Sequence, residues 1–204
     1  MNRDFKALLE MAVRLHGHLC GGQVIGVRMA LAGLRELGIK EPKGKEGKDL
    51  VIFVEIDRCP VDAIIAVTGR TPGRRSIKMM DYGKQAATFV DARTSKAVRV
   101  SVKADAFEKA GQVARTLTGM KDEKHAQIEA LATMAEQDLL SIRRVSVAVR
   151  PQDLPGEPLE TCVCQKCGEA IKDMRQVGGN GSVLCKPCAV GDCYYKEIPG
   201  DIDN

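Results

Sequence analysis

Residues 50–69 read LVIFVEIDRCPVDAIIAVTG, and this stretch sets the architecture of the first part of the chain. Its first seven residues, 50–56, are too short and too apolar for a surface helix and predict a buried strand. Pro60 is favoured in the first turn of a helix, where a missing N–H group has no partner to lose. The pattern therefore predicts a strand, a tight turn and a short buried helix that ends near Thr68, with Cys59 at the helix N-terminus.

Two helices are predicted before this unit. Residues 4–15 place apolar side chains on one helical face, at i, i+3, i+4 and i+7 spacing: Phe5, Leu8, Leu9, Ala12 and Leu15. Gly17 can end that helix. A second helix is predicted from about Gln23 to Leu37, with Gly38 as its C-terminal stop.

The order of elements after the unit predicts the fold class. A loop over 69–76 is followed by three predicted strands, at 77–80, 85–90 and 97–102, with turns between them at 81–84 and 91–96. Two helices are then predicted at 104–117 and 121–140, and a last strand at 143–149. This order predicts an α+β core with an antiparallel or mixed sheet packed by helices. The proline-rich segment 151–158 has no apolar period, so we expect a core domain over 1–155 and a separate domain over 156–204.

Composition and charge argue against some classes of function. The chain has no Trp, three Tyr and four Phe, so stacking platforms for single-stranded nucleic acid are not expected. Its net charge is +4, but residues 156–204 hold five basic and eight acidic residues, a balance of −3, which leaves +7 on 1–155. An acidic tail is a poor match to nucleic acid. No apolar run approaches 18 residues and the charged start lacks a signal peptide, so we expect a cytoplasmic protein without a membrane span.

The second domain carries a paired-cysteine motif. Cys164-x2-Cys167 and Cys185-x2-Cys188 are separated by 17 residues, which is the spacing of a four-cysteine zinc site. Gly178-Gly179-Asn180-Gly181 can supply the turn between the pairs. A domain this small cannot bury enough apolar surface to fold alone, so the metal would stabilise it. Four thiolates can also hold an iron–sulfur cluster, and free core cysteines are the plain alternative. Cys162 and Cys193 are not expected to be ligands.

A second group of candidate ligands lies in the core. His16-Gly17-His18 is followed by Cys20, and Cys59 is predicted at a helix N-terminus, where unsatisfied N–H groups stabilise a thiolate. The plain interpretation is a polar helix end with a glycine turn, and a small buried cysteine that packs beside Pro60.

Three segments together resemble the FmdE family of formylmethanofuran dehydrogenase proteins. They read HGHLCGGQVIGVRMA from residue 16, VEIDRCPVDAIIAVTGRTPGRRS from residue 54 and DYGKQAATF from residue 81, and the four-cysteine tail follows them. The resemblance implies an α+β core that is often dimeric, and a C-terminal treble-clef zinc finger that many members add. It also implies a cleft lined by matching residues: His16, His18, Cys20, Cys59, Asp62, Tyr82 and Lys84.

The chain departs from the family pattern in ways that change the expected chemistry. Gly21 stands where the family usually has proline, and Arg70 replaces the cysteine of a Thr-Gly-Cys-Thr loop. Arg74 and Arg75 replace its Gly-Lys stretch. With fewer thiols and more arginine, we expect the loop of Arg70, Arg74 and Arg75 to border the cleft and to favour anions, unless it is only a solvated surface.

The cleft residues suggest a second metal site. We expect His16, His18 and Cys59 to converge with Cys20 nearby, a ligand set that suits zinc and leaves a fourth position for water. Asp62 follows Cys59 by three residues, so its carboxylate could orient an imidazole or accept a proton from that water. Tyr82 and Lys84 could approach from a facing hairpin and polarise a substrate carbonyl.

The functional expectation is a metal-binding accessory protein of the formylmethanofuran dehydrogenase type rather than a catalyst. Oxidation of a formyl group needs a redox cofactor such as a molybdenum or tungsten pterin, for which the sequence shows no obvious site. A homodimer is expected, with other subunits of a redox complex as further partners. Two alternatives stay open: a stand-alone metalloenzyme that uses the cleft of His16, His18 and Cys59, and a zinc-finger regulatory protein.

Overall fold

The computed structural model describes residues 3–119, 122–157, 159–178, 181–196 and 198. The chain divides into two compact units, Met1–Pro155 and Gly156–Asn204. The larger unit is the core and the smaller unit is the finger. In the described part of the chain, no helix combines the length and the apolar character needed to cross a membrane.

The core contains six helices and five strands among its described residues, and this α+β composition confirms the expected fold class. The helices are α1 Arg3–His16, α2 Gly21–Leu37, α3 Pro60–Thr68, α4 Ala106–Thr116, α5 Glu123–Thr133 and α6 Glu136–Leu139. The strands are β1 Leu50–Val54, β2 Ile77–Met79, β3 Ala86–Asp91, β4 Lys96–Val102 and β5 Leu140–Val145.

The strands form one mixed sheet in the order β2-β1-β3-β4-β5. β1 and β2 are parallel and are joined by α3, whereas the other three pairings are antiparallel. β2 and β3 therefore do not pair with each other, and both flank β1. The turn at 81–84 crosses the end of β1, where the N–H groups of Tyr82 and Lys84 donate to the carbonyl of Glu55.

Helix α2 forms the centre of the core against one face of the sheet. A methyl group at Gly33 would lie 2.3 Å from the ring of Phe89, so the helix approaches β3 as closely as a bare backbone allows. A methyl group at Gly26 would lie 2.5 Å from the carbonyl oxygen of Pro60, so α2 also packs tightly on the start of α3. These two glycines fix the positions of β3 and α3 around one helix.

On the opposite face of the sheet, a second and smaller row of apolar side chains is buried. Val51, Val90 and Ala97 lie in register on this face and are almost inaccessible to solvent. Residues 146–154, which we name the strap, leave β5 and reach β2 at the other edge of the sheet. There Asp153 pairs with Lys78, at 3.8 Å between carboxylate oxygen and Nζ. We infer that the strap covers this row, because Val51, Val90 and Ala97 do not belong to the apolar cluster that the helices form with the other face of the sheet.

Some sequence expectations for the core were wrong. Leu15 lies on the apolar face expected for α1 but is 54% exposed, because the buried part of that face is centred on Phe5 and Ala12. The single helix expected over 121–140 is two helices, since Met134 has an extended backbone that ends α5. The last strand ends at Val145 and begins three residues earlier than expected, because residues 140–145 are the ones that pair with β4.

The finger has the element order of a treble clef. A short hairpin of β6 Cys162–Val163 and β7 Ala170–Ile171 holds the first cysteine pair in its turn. A second turn follows, in which Val177 pairs with Leu184, and helix α7, Lys186–Val190, then begins directly after Cys185. Gly179 and Asn180, which were expected at that second turn, lie outside the described residues.

Candidate metal centres

The core cluster consists of His16, Cys20 and Cys59. One ligand atom from each residue lies within 4.8 Å of the others, and all three residues are half-buried. His16 is the last residue of α1, Cys20 caps the N-terminus of α2, and Cys59 caps the N-terminus of α3. The core therefore brings together the ends of three helices, at the carboxyl end of β1.

The two nitrogens of His16 have different surroundings. Nδ1 lies 2.8 Å from Oδ2 of Asp62, which is on the first turn of α3. Nε2 is buried and has no hydrogen-bond partner. When Nδ1–H donates to the carboxylate, Nε2 keeps its lone pair, and this is the state in which imidazole binds a metal ion. The structure thus leaves a buried acceptor on the imidazole that clusters with the two thiols.

Gln23 and Gly22 hold the two thiol-bearing caps close together. The fully buried side chain of Gln23 donates from Nε2 to the carbonyl oxygen of Cys59 at 2.6 Å. A methyl group at Gly22 would lie 2.6 Å from Cβ of Cys59. Sequence analysis missed both roles, because neither residue is a typical ligand. The Gly21-Gly22 pair directly after Cys20 was the signal that a close approach occurs there.

The environment of Cys59 disfavours its thiolate when no cation is bound. Burial raises the pKa of the Cys59 thiol, and the neighbouring Cys20 thiol raises it further through a hydrogen bond. The negative charge of Asp62 repels the thiolate and raises the pKa of Cys59 as well. A divalent cation would remove this penalty, because it attracts both thiolates and the imidazole lone pair.

The remaining cleft candidates lie outside the cluster. His18 is exposed, and its ring centroid is 4.6 Å from that of His16, so the two imidazoles are neighbours although only His16 joins the cysteines. Tyr82 and Lys84 are exposed on the segment that crosses the end of β1. Asp62 contacts the cluster through His16.

The arginine loop lies at the opposite end of α3 from Cys59. The helix has nine residues, which corresponds to about 13 Å, so the loop does not lie beside Cys59. That the loop borders the wider cleft stays a prediction. Arg70 is buried and donates to the carbonyl of Gly47, and Arg75 donates to the carbonyl of Leu154. Burial lowers the pKa of Arg70, and the nearby charge of Arg74 lowers it further. Anion binding by these three arginines stays a prediction.

The finger brings its four cysteines together as the spacing predicts. The sulfurs of Cys164, Cys167, Cys185 and Cys188 lie within 4.8 Å of one another, and those of Cys167 and Cys185 are 3.8 Å apart. The backbone N–H of Cys185 donates to the sulfur of Cys164 at 3.3 Å. The sulfurs of Cys162 and Cys193 are not part of this group. The cluster has the donor number of a closed tetrahedral metal site.

The thiols of the finger differ strongly in acidity. Backbone N–H groups of Cys167 and Cys185 lower the pKa of Cys164 to about 6. The hydrogen bond with Cys185, followed by burial, raises the pKa of Cys188 to about 12. One thiolate therefore forms readily, and its negative charge opposes the ionisation of the neighbouring thiols. A bound cation is needed to deprotonate all four thiols at neutral pH.

Comparisons with known proteins give a family match and a match in fold. The family model described as "FmdE, Molybdenum formylmethanofuran dehydrogenase operon" matches residues 15–147. A crystal structure of a tungsten formylmethanofuran dehydrogenase FmdE-like protein from Syntrophus aciditrophicus superposes with a TM-score of 0.58. It covers 94% of this chain and 95% of that chain at 23% identity, which supports the fold.

A curated relative extends beyond the length of this chain. It is a probable S-adenosyl-L-methionine-binding protein from Archaeoglobus fulgidus, 30% identical over 204 residues. The alignment covers 94% of this chain but 54% of the relative, so the chain spans about half the length of that protein. The family match instead includes the segments that carry His16, Cys20 and Cys59. On this match, the chain belongs to the FmdE family.

Proposed function

We propose that this chain is an accessory metal-binding protein with two zinc sites of different character. His16, Cys20 and Cys59 would hold one ion in the core, and the four clustered cysteines would hold a structural ion in the finger. Imidazole nitrogen and thiolate sulfur are the donors that zinc prefers in proteins. The unpartnered, buried Nε2 of His16 is the observation that carries the core site.

The two sites differ in the number of protein donors. Four thiolates complete a tetrahedral shell, which is typical of a structural site. The core cluster supplies three donors and so leaves one position for water or for a ligand brought by a partner. Asp62 supports the core site indirectly, because its carboxylate fixes the ring orientation of His16.

The core site is tested by counting metal in the full chain and its variants. Two metal ions per chain are expected for the unaltered protein and one for His16→Ala, by elemental analysis after gel filtration. Asp62→Asn is expected to keep the core ion but to weaken its affinity about 10- to 100-fold in a chelator competition, because it removes the carboxylate behind the imidazole.

His125→Ala is the matched control. Nδ1 of His125 also lies 2.8 Å from an aspartate, Asp122, but no thiol accompanies the pair among the described residues. This variant should retain both ions. A core that holds no metal in the unaltered chain, or the same count in His16→Ala, would contradict the proposal. Iron in place of zinc in the finger would support the iron–sulfur alternative.

A metalloenzyme is the second candidate. The open fourth position at the core site favours it, because catalytic zinc typically has three protein ligands and one exchangeable water. In that case Asp62 would hold the imidazole, and Tyr82 and Lys84 would be the side chains to test for contact with a substrate. Retention of the core ion in Tyr82→Phe and Lys84→Met, with loss of turnover once a substrate is found, would distinguish this role from a structural one.

We also propose that the protein is a cytoplasmic homodimer formed through the core, with subunits of a redox complex as further partners. Leu15 is 54% exposed and Met11 is 37% exposed, four residues apart on the same helix. Burial of these two side chains against a second copy of the chain would remove apolar surface from water. Light scattering should give twice the mass of one chain, and Leu15→Glu should shift the equilibrium to monomer, while Phe107→Glu on α4 serves as the exposed apolar control. A monomer at micromolar concentration would contradict the dimer.

A further inference from the structure

We propose that Cys20 and Cys59 form a reversible disulfide, so that the core carries an oxidation site in addition to a metal site. The disulfide itself depends only on the two thiols. Its consequence, the exclusion of metal from the core, rests on the function proposed above.

The geometry of the two helix caps supports the disulfide. The sulfur atoms lie within 4.8 Å of each other, and each belongs to the residue directly before a helix. Gly22 permits the close approach, since a methyl group at that position would lie 2.6 Å from Cβ of Cys59. Rotation about χ1 moves the sulfur of Cys20 and leaves in place its carbonyl, which accepts from the N–H groups of Gln23 and Val24 at the start of α2. Rotation of the two side chains can therefore bring the sulfurs to bonding distance, about 2.05 Å.

Both thiols are accessible to a small reagent, because Cys20 and Cys59 are half-buried rather than enclosed. Thiol–disulfide exchange needs an attacking thiolate and a path for the oxidant. A low-molecular-weight disulfide is the oxidant class we assign. One cysteine sulfur attacks it and releases one small thiol, and the second cysteine then attacks the mixed disulfide and releases the other. The protein loses two electrons and two protons, and the small disulfide gains both as two thiols.

Metal binding and disulfide formation exclude each other at this site. Zinc binds cysteine as the thiolate, and a sulfur in a disulfide is not a thiolate. Oxidation therefore leaves His16 as the one donor of this cluster. One imidazole does not retain zinc against a chelator. The core site would therefore release its ion on oxidation and accept it again after reduction.

The finger contains a competing thiol pair. The sulfurs of Cys167 and Cys185 are 3.8 Å apart, so they too are close enough to be oxidised when no metal holds them. The identification of the linked residues is therefore essential. The sequence allows it, because trypsin releases Cys20 in peptide 15–28 and Cys59 in peptide 59–70, each with a single cysteine.

The test is a peptide map of the full chain after exposure to oxidised glutathione, with free thiols alkylated before digestion. The proposal expects peptides 15–28 and 59–70 to be recovered as one linked species that separates on reduction. Cys20→Ser and Cys59→Ser should each abolish it, whereas Cys193→Ser should not. Recovery of both peptides in the alkylated, unlinked form, or each linked to a finger cysteine, would overturn the proposal.

A second measurement separates this inference from the proposed metal site. Oxidation should remove one metal equivalent per chain in the presence of a chelator, and dithiothreitol with added zinc should restore it. His16→Ala should still form the linked peptides although it holds no core ion. If the reduced, unaltered chain holds no core metal, the metal proposal fails while the disulfide is still tested by the peptide map. A linked pair that leaves the core metal count unchanged would overturn the exclusion.

Discussion

Replacing Cys185 with serine is expected to release the metal of the finger and to unfold the finger while the core stays folded. Cys185 supplies one of the four clustered sulfurs and directly precedes α7, the only helix described in this unit, so its loss removes a ligand and the link between that helix and the metal. The two strands of the finger have two residues each. Apparent binding free energies of structural zinc are about 10–16 kcal/mol, which exceeds what so small an apolar core can supply.

The measurement combines elemental analysis with limited proteolysis. Cys185→Ser should lose one metal ion per chain and should be trimmed to a stable fragment that ends near Pro155. Cys193→Ser is the matched control, because Cys193 lies outside the four-cysteine cluster and its loss should change neither result. A Cys185→Ser finger that resists protease without metal would show that packing alone holds this unit together.

Replacing Gly26 with alanine is expected to lower the free energy of unfolding of the core by about 3 kcal/mol. The added methyl group would lie 2.5 Å from the carbonyl oxygen of Pro60 and 2.6 Å from Cβ of Ala63. Part of this clash is with backbone, so a rotamer change cannot relieve it and α3 must move away from α2. Because Cys59 directly precedes α3, the same shift should weaken metal binding in the core.

Gly111→Ala is the control for this substitution. Gly111 lies inside α4, and a methyl group there would meet no atom within 4 Å. Alanine is favoured over glycine inside a helix by up to about 1 kcal/mol, so this variant should be slightly more stable than the unaltered chain. Urea unfolding followed by far-UV circular dichroism measures both changes. Equal stabilities for the two variants would mean that α2 and α3 are not in such close contact.

The parts of the fold that depend on neighbouring residues could be predicted from the sequence. The strand, turn and helix around Cys59 follow from an apolar run and a proline at the first helical turn. The four clustered cysteines follow from their spacing, because two intervening residues let one turn aim both sulfurs at a point. In both cases the causes lie within a few residues of the effect.

The parts that depend on distant residues could not be predicted in the same way. Met134 ends α5 without a glycine or a proline nearby, because it turns inward and is buried in the core. Arg70 looks like a free surface cation in the sequence, but it is buried against Gly47. These outcomes depend on which segments meet in three dimensions, and no local pattern records that.

The core cluster shows both kinds of dependence. That the His16 segment and Cys59 lie near one another was an expectation from the family resemblance and from the predicted helix N-terminus at Cys59. Which histidine turns inward could not be predicted, because Gly17 has a positive φ of 94° and turns the chain away from the helix direction before His18. His16 is still helical and faces α3, where Asp62 fixes its ring.

The strap has a consequence for how the protein is made in the cell. Residues 146–154 are the last part of the core to leave the ribosome, yet we infer that they cover Val51, Val90 and Ala97, which emerge much earlier. At about 5–20 residues per second, synthesis of the roughly 95 residues between Val51 and the strap takes about 5 to 20 s. Throughout that time one face of the nascent sheet has no cover. The core is therefore expected to close only at the end of its translation, and a chain that stalls before the strap is the form that molecular chaperones would recognise.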